Sequence, residues 1–136
     1  MRRVVVDTNC LLASINPRGA YFALYGLFIA NTFEWVLSNE ILTDYEEQVT
    51  RRYSARTAQQ VHEVLTTAPN TCFQEAYFKW QLIEADPDDN KFVDVALAAN
   101  ADYLLTNDRH FEVLRQVEFP RVPLISLQAF LDGYRY

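Results

Sequence analysis

The chain has 136 residues, half of them hydrophobic and 14% aromatic, enough for one sizeable core and too few for two, so residues 1–136 are expected to form a single domain. Eighteen acids against twelve bases give a formal charge of −6, which excludes a protein that holds nucleic acid by bulk electrostatics alone. A nuclease survives that exclusion, because acids gathered on a divalent ion reverse the local field.

Cys10 and Cys72 are too few for a disulfide framework and lack metal-ligand spacing, so both are expected to pack as small hydrophobes in a reducing cytoplasm. His62 and His110 read as isolated, and no zinc site is indicated. The basic start Met1-Arg2-Arg3 is followed by only three apolar residues before Asp7, unlike a secretory signal. No stretch nears the roughly 18 apolar residues of a membrane span. Gly19, Gly26 and Gly133 belong to no phosphate-cradling glycine motif.

In chain order, Val4-Val5-Val6 is a continuous apolar run, as expected of a central parallel strand covered on both faces. A helical pattern follows over 20–31. Trp35-Val36-Leu37 reads as a strand that ends at a helix-start serine, Ser38, and opens helices over 39–52 and 55–66. The stretch 71–83 carries no clear pattern. A helix over 88–100 precedes a second apolar run, Tyr103-Leu104-Leu105. A helix over 109–116, a weak strand at Pro123-Leu124-Ile125 and, after Ser126, a short helix over 127–131 complete the chain. Strands alternating with helices imply a three-layer α/β/α sandwich around a mostly parallel sheet of four or five strands.

Parallel sheets bind ligands at the carboxyl ends of their strands. Asp7 closes the first apolar run, and Asp108 closes Tyr103-Leu104-Leu105-Thr106-Asn107. Either acid alone reads equally well as a helix cap; two at one sheet edge point to a site. In Asp86-Pro87-Asp88-Asp89-Asn90, Asp86 suits an N-cap and Pro87 the first helical position. At about 100° per residue, however, Asp89 falls within the stripe of Phe92, Val93, Ala96 and Ala99, whereas Asp94 falls nearly opposite. A carboxylate aimed at the core needs a partner, and a metal ion is one that several acids can share. On the 39–52 helix, Asp44 and Glu46 flank the stripe of Ile41, Leu42, Tyr45 and Val49 on opposite borders. Periodicity does not choose between them, and pairing with Arg51 or Arg52 on a solvated face is the simplest role for acids there.

These residues resemble a known family. Val4-Val5-Val6-Asp7-Thr8-Asn9, Ser38-x-x-Ile41-Leu42-x-Asp44-Tyr45, Asp86-Pro87-Asp88-Asp89-Asn90-Lys91-Phe92 and Ala101-Asp102-Tyr103-Leu104-Leu105-Thr106-x-Asp108 are similar, in order and spacing, to the successive motifs of PIN domains. The similarity is greatest to the compact VapC-like toxins and spans 4–131. It implies a Mg²⁺- or Mn²⁺-dependent endoribonuclease hydrolysing RNA phosphodiester bonds, the toxin of a toxin–antitoxin pair, commonly dimeric and partnered by an antitoxin. By position the family's acids, catalytic and metal-binding, fall on Asp7, Asp44, Asp89 and Asp108, with Asn9 and Thr106 as supporting polar groups. Two departures stand out: Asp44 occupies a position more often held by glutamate, and Asn107 one where glycine is frequent.

Mg²⁺ takes oxygen ligands, so such a site needs neither histidine nor thiolate. Asp7 and Asp108 are the first expected ligands, with Asp89 and Asp44 completing or positioning the site. Arg51, Arg52, Arg56 and Arg109 could contact the RNA backbone, but the ordinary surface charge is the simpler reading of each. A dehalogenase-type phosphatase would need an acid where Asn9 stands, and a receiver-type phosphoacceptor an acid pair after the first strand and a lysine after the last. A catalytically weak PIN domain that binds RNA or protein is the remaining alternative. Tyr21, Tyr25, Phe28, Tyr134 and Tyr136, if exposed, could form a dimer or antitoxin surface, although core packing explains most of them as well.

Overall fold

Three short apolar strands set the architecture, because each is buried on both faces and therefore needs cover above and below. The computed structural model describes residues 1–133; Tyr134 and Tyr136 lie outside the described residues. Strands β1 (Arg3–Val6), β2 (Glu34–Leu37), β3 (Thr71–Phe73), β4 (Tyr103–Leu105) and β5 (Leu124–Ile125) form one all-parallel sheet in the order β3-β2-β1-β4-β5, with helices on both sides. Val5 pairs with Val36 on one side and Leu104 on the other, and all three are fully buried. The chain runs outward from β1 through β2 to β3 and then returns to β4 on the far side of β1. The carboxyl ends of β1 and β4 thus flank the point where strand order reverses, which is where open α/β sheets carry their crevice.

The expected helices appear as α2 (Phe22–Ile29), α3 (Asn39–Arg52), α4 (Ala55–Thr67), α5 (Asn90–Ala98) and α6 (Leu127–Asp132). Ser38 and Ser126 cap α3 and α6 by accepting from the Ile41 and Ala129 amides, both at 3.1 Å. The segment Arg109–Gln116 is a 3-10 helix rather than α, and Pro87–Asp89 forms a 3-10 turn ahead of α5. Helix α1 (Thr8–Ser14) is an addition to the elements read from sequence. Its Cys10, Leu11, Leu12 and Ser14 are all buried, so it lacks the polar face that makes a helix visible as a period. Strand β3 emerges from the patternless stretch as a three-residue edge strand whose Phe73 remains exposed.

One expectation about burial is corrected. Asp94, read as lying opposite the α5 stripe, is only 2% exposed, because the 74–86 segment folds over that face and the Trp80 amide donates to Asp94 Oδ1 at 3.1 Å. Of the two readings of Phe28, core packing holds: it lies with Phe33 and Trp35 at ring separations of 5.8 and 5.2 Å and offers no surface. Of the cysteines, Cys10 is buried, with its thiol pushed far up by burial, and Cys72 is only partly covered.

Beneath the sheet edge, Tyr45 of α3 is fully buried. Its hydroxyl donates to the Val6 carbonyl and accepts from Trp35 Nε1 at 3.2 Å. This couples the last residue of β1 to β2 and α3 immediately before the chain reaches Asp7.

Candidate active site

A cavity of about 180 Å³ opens at that sheet edge, and Asp7, Asp44, Asp89 and Asp108 all line it. Four separate segments deliver them.

Asp7 follows β1 in extended conformation, and its Oδ1 caps α1 by accepting from the Cys10 amide at 2.8 Å. The cap and the site are the same residue here. Its Oδ2 accepts from the Thr106 hydroxyl, and that hydroxyl in turn accepts from the Asp108 amide at 3.0 Å. Thr106, buried at the end of β4, therefore locks the two strand ends in register. Burial raises the Asp7 carboxyl above its ordinary value, against the lowering influence of Thr106 and Cys10.

Asp108 caps the following 3-10 helix through a 2.9 Å bond from the His110 amide. The intervening Asn107 accepts from the Leu127 amide at 3.0 Å, tying α6 to this loop, a link that glycine could not make.

Asp44 is the acid of α3 that faces the cavity, while Glu46 is exposed. Both Asp44 oxygens are engaged: Oδ2 accepts from the Thr8 hydroxyl and Oδ1 pairs with Lys91 Nζ at 3.2 Å. Arg51, Arg52, Arg56 and Arg109 are exposed and do not line the cavity. Lys91 is the cation there, and sequence reasoning did not single it out.

Asp89 ends the 3-10 turn before α5. Its Oδ2 is buried and accepts no hydrogen bond. Its carboxyl is pushed up to about 6, first by burial and then by Asp86 and Asp108, with His110 opposing. His110, read as isolated, sits instead with Nδ1 3.5 Å from both Asp89 Oδ2 and Asp108 Oδ1 and 3.9 Å from Asp86 Oδ2. Asp86, Asp89 and His110 can each offer a ligand atom within 4.8 Å of the others. Its place two residues after Asp108 was the available signal. Asn9 is exposed at the cavity rim.

The donor set fits a hard divalent ion. Carboxylate oxygens dominate, one of them is buried without a hydrogen bond, and the burial and mutual repulsion that raise Asp7 and Asp89 are what a bound cation relieves.

The family model for the PIN domain matches residues 3–110, a span that contains all four acids. The chain belongs to the PIN-domain family. Its fold is that of VapC-type PIN domains. The VapBC2 complex of Rickettsia felis bound to a promoter DNA fragment matches with a TM-score of 0.64 at 16% identity, covering 91% of this chain and 98% of that one. Mycobacterium tuberculosis VapC20, a sarcin-ricin loop cleaving toxin, matches at 0.61 and 17% identity, covering 80% and 92%. VapBC-1 of nontypeable Haemophilus influenzae matches at 0.60 and 14% identity, covering 93% and 98%. No curated protein matches by sequence. Within this PIN domain the matched span ends inside the 3-10 helix after Asp108, so the edge strand β5 and helix α6 lie beyond it.

Proposed function

We propose that this PIN domain is a divalent-metal-dependent endoribonuclease acting in the cytoplasm as the toxin of a toxin–antitoxin pair, as a homodimer with an antitoxin protein as partner. One observation carries the nuclease reading: Asp7, Asp89 and Asp108 converge from separate segments on one cavity, and Asp89 Oδ2 is buried there without a hydrogen bond, with only His110 Nδ1 near it at 3.5 Å. The VapBC complexes among the structural neighbours support the antitoxin.

Asp7, Asp89 and Asp108 would hold Mg²⁺ or Mn²⁺. When bound, such an ion supplies an activated water and charge compensation at the phosphate. Thr106 orients Asp7 for that task, and Asp44, with both oxygens committed, acts by fixing Lys91 beside the cavity. Lys91 then contributes a positive charge toward the RNA backbone in a pocket otherwise rich in acids. His110 Nδ1, within 3.5 Å of Asp89 Oδ2 and Asp108 Oδ1, is placed to exchange a proton with these carboxylates or to add a nitrogen ligand.

The engagement of Asp44 favours one second reading, a PIN domain that binds RNA or protein with weak catalysis. Incubating a panel of RNAs with the purified protein, with Mg²⁺, Mn²⁺ or chelator, separates the two. The nuclease reading predicts ion-dependent cleavage that falls at least about 100-fold in both Asp7→Asn and Asp89→Asn. Cleavage that persists in both variants or in chelator contradicts it.

A further inference from the structure

Beside the carboxylate pocket lies a second and larger cavity, of about 520 Å³, on the outer side of α5. Lys91 lines both and so stands between them, while Asn90 lines the larger one alone. The volume falls in the range of small-molecule sites. Its wall is also preformed. Asn90 binds both the amide and the carbonyl of Ile83 at 2.9 Å, Asp94 holds the Trp80 amide, and Lys79 pairs with Glu40 at 3.6 Å. Gln81, at the bend of this wall, is held at φ 54°, a left-handed conformation that a glutamine adopts only when its surroundings impose it.

The lining chemistry selects a ligand. Glu40, Glu84 and Asp94 supply oxygens that accept hydrogen bonds, and Asp94 is nearly fully buried. Three carboxylates against Lys79 and Lys91 repel a phosphate and favour a neutral ligand rich in N–H donors. Pro87 offers exposed apolar surface for a flat ring, with Ile83 buried in the wall beneath. Along α5, Lys91 and Asp94 are only about 4.5 Å apart in axial rise. A ligand in this cavity is therefore the immediate neighbour of any phosphate at the carboxylate site.

We propose that this cavity is a nucleobase subsite that selects guanine next to the scissile phosphate, with Asp94 as the specificity-determining acceptor. The proposal rests on the ribonuclease reading above and deepens it. Guanine presents two adjacent donors, N1–H and the 2-amino group, on one edge, matching carboxylate oxygens. Adenine and cytosine present a single amino group beside a ring acceptor, and uracil places its one N–H between two carbonyls that the carboxylates repel. Unstacked bases of single-stranded RNA are read in this way, on their Watson–Crick edges.

Two measurements test it. First, guanosine, inosine, adenosine, cytidine and uridine are titrated into the full-length, metal-free protein while amide shifts of Ile83, Asn90 and Asp94 are followed by NMR. Guanosine is expected to bind best, inosine about ten-fold more weakly for want of the 2-amino group, and uridine not at all. Second, single-stranded oligouridine carrying one G, inosine, A or C is cleaved by the wild type and by Asp94→Asn. The variant keeps an acceptor for the Trp80 amide and replaces the other oxygen with a donor. It is expected to lose the guanine preference by about ten-fold in kcat/KM while cleaving other sites as before, and Glu84→Gln on the exposed wall is expected to weaken it in the same direction. Equal binding of all five nucleosides, binding of none, or an unchanged guanine preference in both variants overturns the subsite. Absence of any cleavage instead overturns the nuclease reading and leaves the nucleoside titration to decide this one.

Discussion

The carboxylates at the site are poised against their own environment, and that has consequences for single residues. Burial, and then Asp86 and Asp108, push the Asp89 carboxyl up from its ordinary 3.8 to about 6, so between these values the folded, metal-free protein holds a proton that the unfolded chain has released. Its contribution therefore favours the fold at low pH and is lost as pH rises through about 6; Asp7 and Asp94 shift in the same direction. The expected result is that thermal unfolding of the metal-free wild type, relative to Asp89→Asn, loses midpoint temperature between about pH 4 and pH 7. A difference that is flat across that window removes the strained carboxylate from the account. Thr106 makes a separate prediction. Because its hydroxyl bridges Asp7 and the Asp108 amide, Thr106→Ala should reduce metal affinity by about 10- to 100-fold, measured by calorimetric titration with Mn²⁺, while leaving the fold intact.

At the scale of elements, the sheet edge is built by ties that pass beneath it. Tyr45→Phe removes the donor to Val6 and strands the buried indole N–H of Trp35, so it should cost about 1–3 kcal/mol in denaturant unfolding. The same elements explain what could be read in advance. Val4-Val5-Val6 and Tyr103-Leu104-Leu105 were legible as strands because burial on both faces leaves a continuous apolar run, and their closing acids followed directly. Asp89 was legible from its helical phase. Asp44 and Glu46 were not separable by period, since both border the stripe; the Thr8 hydroxyl and Lys91 from distant segments distinguish them. Helix α1 and strand β3 escaped, one because it is buried nearly all round and the other because three edge residues carry no pattern. Asp94 misled because the cover over its face comes from the 74–86 segment, a long-range fact that local period does not encode. That segment yields a prediction too: Asn90→Ala should release Ile83 and raise hydrogen exchange across 80–86 well above that of α4.

For the molecule as a whole, folding sets like charges together at one end of a sheet, and the gain recovered there depends on what occupies the cavity between them. A divalent ion at about 100 times its dissociation constant should stabilise the folded chain by about 2.7 kcal/mol, whereas Na⁺ at matched ionic strength should not. The arrangement couples distant parts of the chain through that one pocket: β1 and β4 through Thr106, α3 through Lys91, and α6 through Asn107. No helix among the described residues is long and apolar enough to cross a membrane, and none is needed to explain the burial of these acids. The most direct test is anomalous diffraction from crystals soaked in Mn²⁺. The account predicts a peak within about 2.0–2.3 Å of oxygens from Asp7, Asp89 and Asp108. Density that shows these three carboxylates bonded only to protein or water, with manganese bound elsewhere or not at all, would contradict it.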